Sequence, residues 1–169
     1  MPHHLSKSCL RAILTGAPIL ALALASTTAV RAASKPFPAP AGWDAVQSQA
    51  PSNTQSFQMW KRDSGDLQQT VIVIGDPATD YNEAVQRIHK NIADNKFKVK
   101  LDKDQSCDGK TGHLFEMVYG PEAKRIAVDR LVVPDGTGIT QITYMRPEPE
   151  PFAAEVKTNL NSYCGTTVI

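Results

Sequence analysis

The sequence predicts an α+β domain, in which a mainly antiparallel sheet of about six strands carries two packed helices. Short runs of aromatic and β-branched residues, bounded by turn residues, indicate the strands. Two segments have the apolar spacing of three to four residues that is typical of amphipathic helices. Because most of the strands follow one another through short turns, we expect antiparallel pairing and the element order β-β-α-β-β-β-β-α.

The first 32 residues have the order of a secretory signal peptide. A basic start is followed by an apolar run from Ala12 to Ala25, and Val30 and Ala32 form a Val-x-Ala cleavage site. The run is shorter than the roughly 20 residues that a membrane-spanning helix needs. We therefore expect cleavage after Ala32 and export to the periplasm or the medium. Cleavage after Ala25 and an uncleaved signal anchor are the alternatives.

The mature chain would begin with a spacer and continue as one domain. Residues 33–42 contain three prolines, which favours an extended segment. Residues 43–169 then form a domain of ordinary single-domain size. Its first two strands are predicted over Phe57–Arg62 and Leu67–Ile74, and the turn between them contains Gly65.

The first helix has the clearest pattern in the chain, over Tyr81–Asp94. Asp80 and Glu83 have the spacing of a capping box, and Asn95 is expected to end the helix. One helix face carries the apolar residues Tyr81, Ala84, Val85, Ile88 and Ile92.

The second half of the chain predicts four strands and a helix. The predicted strands are Lys96–Leu101, Leu114–Tyr119, Arg125–Val133 and Ile139–Arg146. The polar segment 102–112 is predicted to be a loop. After three prolines, a second amphipathic helix carries Phe152, Val156, Leu160 and Tyr163, and it ends at Cys164-Gly165.

Cysteine use supports the prediction of export. Cys9 leaves with the signal, so Cys107 and Cys164 are the only thiols of the mature chain. In an oxidising compartment, such a pair predicts a disulfide that holds the last helix on the sheet. Two free thiols or a metal site are the alternatives, but the pair lacks the Cys-x-x-Cys spacing of structural zinc sites.

The charge balance argues against some classes of partner. Loss of Lys7, Arg11 and Arg31 with the signal leaves 15 basic against 17 acidic residues. A nucleic-acid binder or a protein of anionic membrane surfaces would normally carry a basic excess. We expect no nucleic acid and no integral membrane segment in the mature chain.

Several segments of the mature chain form a pattern of order and composition: Gly42-Trp43, the helix 81–94, and the segments 107–112, 130–133, 142–147 and 161–164. This pattern resembles the PsbP-like fold superfamily, which includes extrinsic photosystem proteins and exported bacterial proteins of unknown role. The resemblance implies an antiparallel sheet between helices and a binding or assembly role, without a shared catalytic set.

Four residues are candidates for function. His89 lies one position from the apolar face of the first helix, and His113 shares a strand face with Phe115. For both histidines a structural role is the favoured interpretation, and a functional role is the alternative. Asp108 is a further candidate acid. Arg130 and Asp129 are expected to form a cross-strand or interhelix pairing, and Arg130 would mark a site only if it lay on an otherwise apolar face.

Known catalytic and metal motifs are missing from the sequence. Asp102 and Asp104 begin like a calcium loop, but Cys107 stands at the position of its glycine and His113 at that of its final glutamate. No nucleophile elbow, phosphate loop or zinc-protease motif occurs. We therefore predict no catalytic residue, metal or cofactor.

The favoured function is an exported, non-enzymatic binding or accessory domain for an envelope protein, an extracellular protein or a small molecule. One alternative is a small secreted hydrolase that uses His113, Asp108 and His89 in acid–base chemistry, which would require these groups to converge. Another is a structural protein of the cell envelope, which would differ from a binding domain in its apolar surface.

Overall fold

The fold is known from a computed structural model, which describes residues 35–169 except positions 48 and 66. The predicted signal peptide lies outside the described residues. The strands are β1 Asp44–Ala45, β2 Ser56–Ser64, β3 Leu67–Asp76, β4 Lys98–Cys107, β5 Lys110–Tyr119, β6 Ile126–Asp135 and β7 Gly138–Pro147. The helices are α1 Tyr81–Asp94 and α2 Ala154–Cys164, and a short 3₁₀ turn spans Glu122–Lys124.

The strands form one antiparallel sheet in the order β1-β2-β3-β7-β6-β5-β4. The α+β class and the two helices agree with the prediction. The described residues contain seven strands where about six were predicted, because the two-residue β1 precedes the others, and the order becomes β-β-β-α-β-β-β-β-α. Neither helix is long and apolar enough to cross a membrane in the part of the chain that the structure describes.

The prediction of a loop over residues 102–112 is wrong, because most of this segment forms the β4–β5 hairpin. The two strands pair as far as Cys107 and Lys110, and Asp108 and Gly109 turn the chain with φ of 53° and 73°. β4 lies at the edge of the sheet, and most of its side chains are exposed. It therefore carries polar residues and lacks the alternation of apolar and polar residues that indicates a strand with one buried face. This error bears on the functional site, which includes two of these residues.

The two helices lie on opposite faces of the sheet. Ala84 and Ile88 of α1 pack against Phe115 and Val132 on one face. On the other face, Val156 and Leu160 of α2 pack into a separate core, where residues of β5 and β6 at alternate positions, such as Leu114 and Leu131, meet them. Burying each large side chain contributes roughly 1.5–3 kcal/mol, so both helices are held mainly by packing.

The start and end of α1 follow the sequence signals. The Asp80 carboxylate accepts a hydrogen bond from the Glu83 amide at 3.1 Å, as expected of an N-cap residue. Asn95 is the C-cap. In α2, the C-cap Gly165 adopts the left-handed conformation with φ of 64°, so the predicted end of this helix is also confirmed.

The disulfide joins the edge strand to the last helix. The Cys107 and Cys164 sulfurs are 2.03 Å apart, which agrees with the predicted pairing. Beside them, the Asp108 amide donates a hydrogen bond to the Cys164 carbonyl at 2.8 Å. The disulfide and this hydrogen bond together fix the end of α2 to the β4–β5 hairpin. Both cysteines are buried.

The described part of the predicted spacer contributes to the core. Phe37 is only 3% exposed, and its ring lies 6.1 Å from that of Trp60 and 5.7 Å from that of Tyr163, centroid to centroid. Lys35 donates a hydrogen bond to the Tyr163 carbonyl at 2.8 Å. Residues 35–42 therefore pack against the α2 side of the domain.

Candidate functional site

The periodicity of α1 gives the helix two polar flanks beside its buried stripe. Ala84 and Ile88 face the sheet, and His89, one position further on, lies on the flank toward β4. Arg87 and Asn91 lie on the opposite flank and line a cavity. The helix thus places a histidine on one side of the apolar stripe and an arginine on the other.

Two histidines and two aspartates meet on the β4 side of α1, and we call them the His–Asp cluster: His89, Asp102, Asp104 and His113. Asp104 is directly opposite His113 in the β4–β5 register, and Asp102 lies two residues before Asp104 on the same face. His89 comes from α1, which packs on the same face of the sheet. The cluster therefore depends on one hairpin register and on one helix packed across it.

The distances within the cluster centre on Asp102. His89 Nε2 lies 3.0 Å from Asp102 Oδ2, and His113 Nε2 lies 2.5 Å from Asp102 Oδ1. The other ring nitrogen of His113, Nδ1, lies 3.1 Å from Asp104 Oδ1. The Asp102 carboxylate thus contacts both imidazoles, and the His113 imidazole contacts both carboxylates.

The aromatic neighbours hold both imidazole rings in place. The ring of Phe115 lies 4.6 Å from that of His113 and 5.2 Å from that of His89, centroid to centroid. His113 is 14% exposed at its side chain, whereas His89 is 47% exposed. The cluster is therefore a half-buried site that opens to solvent at His89 and Asp104.

The charges of the cluster change the pKa of Asp102 and of the neighbouring Tyr81. Burial would raise the pKa of Asp102, but hydrogen bonds and charge interactions with His113 and His89 outweigh burial and lower this pKa below its ordinary value. The pKa of Tyr81 is raised by burial and by the charge of Asp104. Asp102 is therefore held as a carboxylate, the form that binds cations.

Three members of the cluster offer the donors of a metal site. One ligand atom from each of His89, Asp102 and His113 lies within 4.8 Å of the others. Two imidazole nitrogens and one carboxylate oxygen are a donor set suited to zinc, copper or nickel. The sequence predicted no metal, so the structure adds a candidate that motif spacing did not reveal.

The other two predicted site residues lie elsewhere. Asp108 is in the β4–β5 turn, where its carboxylate is 3.5 Å from the Lys35 ammonium. Arg130 is on β6, on the face that α1 covers, and its Nε donates a hydrogen bond to Thr143 Oγ1 at 3.2 Å. The structure brings His89 and His113 together but separates Asp108 and Arg130 from them.

Comparison with known proteins gives no function. No protein-family model matches the chain, and no curated protein matches it. Among solved structures, the chain is similar to PA94 from Pseudomonas aeruginosa, a protein of unknown function proposed to be a regulator. The identity is 12% and the TM-score 0.48, over 63% of this chain and 83% of that chain.

Proposed function

We propose that the protein is an exported binding domain that holds a divalent transition-metal ion at the His–Asp cluster. The ligands are His89 Nε2, His113 Nε2 and a carboxylate oxygen of Asp102. The observation that carries the proposal is the convergence of both Nε2 atoms on one carboxylate, at 3.0 and 2.5 Å. Export is supported by the order of the first 32 residues and by the disulfide, and the PsbP-like resemblance stays a prediction.

The proton count around His113 favours a cation at this point. A neutral imidazole has one N–H donor and one lone pair. If Nδ1 donates to Asp104, the lone pair of Nε2 faces a carboxylate oxygen of Asp102 at 2.5 Å. Two acceptors at this distance repel each other, so the contact needs either an additional proton between the two atoms or a metal ion that both atoms bind after they move apart to ligand spacing. A metal ion would satisfy His89 as well.

Asp104 is placed to orient the metal ligand His113. Histidines that bind metals commonly donate their other N–H to a carboxylate, which fixes the tautomer and makes the ligating nitrogen more basic. The 3.1 Å contact between His113 Nδ1 and Asp104 Oδ1 has this arrangement. We therefore assign Asp104 the role of a positioning residue that does not touch the ion.

The size of the cluster is compatible with tetrahedral zinc after small side-chain movements. Bonds of about 2.0–2.1 Å to zinc require neighbouring ligand atoms to be about 3.4 Å apart. The two N···O contacts to Asp102, at 3.0 and 2.5 Å, are shorter than this, and the other separations reach at most 4.8 Å. Ion binding therefore requires the His113–Asp102 contact to widen and the partly exposed His89 to rotate its side chain. Three protein ligands leave the fourth position to water or to a ligand from a partner.

Isothermal titration of the mature protein with Zn²⁺ tests the proposal. We expect one ion per chain and a much weaker response to Mg²⁺, which avoids imidazole ligands. His113→Gln and Asp102→Asn should abolish the site or weaken it more than tenfold, and Asp104→Asn should weaken it about 10–100-fold. Affinity should fall as the pH is lowered, because ligating imidazoles must be unprotonated.

Asp108→Asn is the matched control for these variants. It removes a carboxylate from the same hairpin outside the cluster, and asparagine tolerates the positive φ of 53° at this position. Wild-type zinc affinity in this variant and loss of affinity in the cluster variants would support the proposal. No saturable zinc binding by the wild type, or equal binding by all variants, would contradict it.

The convergence of His89 with His113 also favours a second candidate function, the small secreted hydrolase. A zinc site with three protein ligands and an open position can activate water. Hydrolysis of an activated ester that requires zinc and is lost in His113→Gln would support this function. Zinc binding without turnover would leave the binding domain as the better explanation.

A further inference from the structure

The flank of α1 opposite the His–Asp cluster covers two adjoining cavities, which we call the α1 groove. Their volumes are about 280 and 180 Å³, and Ile88, Asn91 and Arg130 line both of them. The groove therefore runs between the helix and the sheet, with Arg130 where its two parts adjoin. None of the His–Asp cluster residues lines it.

The two ends of the α1 groove differ in chemistry. Around Arg130, the larger cavity has the polar residues Gln55, Asp76, Arg87, Asn91 and Gln141. The smaller cavity is lined mainly by apolar side chains: Ile88, Ile92, Phe97, Met117, Tyr119, Val128 and Met145. An occupant that satisfies both ends needs a polar head and an apolar tail.

The polar end has an excess of positive charge. In the described chain, neither Arg130 nor Arg87 forms an ion pair, and each has a hydrogen bond to a threonine hydroxyl. The one carboxylate in the lining is Asp76, which already accepts hydrogen bonds from Gln55 and Thr79 at 2.7 Å each. The lining thus contains two guanidinium groups and a single carboxylate that has other partners.

Arg130 is an unusual residue for its position. Its neighbours at alternate positions on β6, Val128 and Val132, belong to the apolar core under α1. A partly buried guanidinium without a carboxylate retains several donors for a ligand. Burial also lowers the pKa of Arg130, as expected for a cation without a compensating anion.

We propose that the α1 groove binds a small amphipathic carboxylate, with its head on Arg130 and its apolar tail in the smaller cavity. The planar guanidinium suits a carboxylate because it can donate two parallel hydrogen bonds. The tail would lie among Phe97, Met117 and Val128 on the same sheet face. This binding does not require the metal, so the two proposals can fail separately.

Titration calorimetry with octanoate, butanoate and octanol, in buffer with EDTA, tests the proposal on the mature protein. We expect one octanoate per chain. Each buried methylene tightens binding about fourfold, so butanoate should bind more than tenfold more weakly. Octanol should also bind at least tenfold more weakly, because it lacks the charge that Arg130 recognises.

Two arginine variants separate charge recognition from general effects. Arg130→Gln should weaken octanoate binding at least tenfold and leave octanol binding nearly unchanged. The matched control is Arg125→Gln, which removes a partly exposed arginine that pairs with Glu148 just before β6 and outside the groove. If Arg130→Gln does not fold, Arg87→Gln and the comparison of octanoate with octanol in the wild type provide the test.

Absence of saturable octanoate binding at millimolar concentration would overturn the proposal. Equal affinity for octanoate and octanol would also overturn it, because the site would then recognise only an apolar chain. A third contradictory result is wild-type octanoate affinity in a folded Arg130→Gln variant.

Discussion

Removing the disulfide should destabilise the domain by about 4 kcal/mol. The change is the double substitution Cys107→Ala/Cys164→Ala, and alanine is chosen because both positions are buried. The bridge joins residues 57 positions apart in the sequence. In the chain-entropy model, closing a loop of that length lowers the entropy of the unfolded chain enough to stabilise the fold by about 4 kcal/mol.

Urea unfolding followed by tryptophan fluorescence can measure this loss, since Trp43 and Trp60 are both buried. With a slope of about 2 kcal/mol/M, the midpoint should fall by about 2 M. Reduced wild-type protein is the control, because it loses the cross-link but keeps both sulfur atoms. The reduced protein should show most of the loss in free energy of unfolding that the double substitution causes. A loss below about 1 kcal/mol would refute the argument that the bridge stabilises the fold by restricting the unfolded chain.

Two further predictions concern the buried ion pair and the β6–β7 turn. Arg146→Met leaves the Asp129 carboxylate buried without its partner and should cost about 3–5 kcal/mol at pH 7.5. Burial, opposed by Arg146, raises the pKa of Asp129 from 3.8 to about 6. Because the folded state binds this proton more tightly than the unfolded state, protonation of Asp129 stabilises the fold. This stabilisation is complete below pH 3.8 and is lost as the pH rises through 6. The cost in urea unfolding should accordingly shrink at pH 5, and a cost independent of pH would contradict this reasoning. At Gly138, an added Cβ would lie 2.1 Å from the Asp76 carbonyl oxygen, so Gly138→Ala should cost at least about 2 kcal/mol. The control is Gly136→Ala, where φ is +63° but the space is open, and it should cost about 1 kcal/mol in the same assay. Equal costs at the two glycines would count against the close backbone approach.

The elements that the sequence predicted best are those with local signals. The cap Asp80 and the apolar spacing from Tyr81 fix α1 within a few residues, so no long-range contact is needed to find it. Gly165 ends α2 for a similar local reason. By contrast, β1 has two residues, and only its pairing with β2 makes it a strand.

The error at residues 102–112 shows why the functional site was only partly predictable. Polar residues on an edge strand look like a loop, because periodicity cannot separate them from solvent-exposed turns. Asp102 and Asp104 match the start of a calcium loop, although their i, i+2 spacing is what places them on one strand face. The spacing is visible in the sequence, but it indicates a shared face only if residues 98–107 are recognised as a strand.

Residue type alone makes His89 and His113 candidates, and the sequence does not show that they come together. His89 and His113 are 24 positions apart, and they converge because α1 crosses the face on which β5 presents His113. That packing depends on the whole sheet. Arg130 was predicted to mark a site if it lay on an apolar face, and the structure places it there, beside the α1 groove.

The most direct test of the metal proposal is the X-ray absorption spectrum of the zinc-loaded protein at the zinc edge. The proposal predicts two imidazole nitrogens at about 2.0–2.1 Å and a carboxylate oxygen at about 2.0–2.2 Å. His89→Gln should remove one imidazole contribution. A spectrum with oxygen neighbours alone, or one that this substitution leaves unchanged, would contradict zinc binding at the His–Asp cluster.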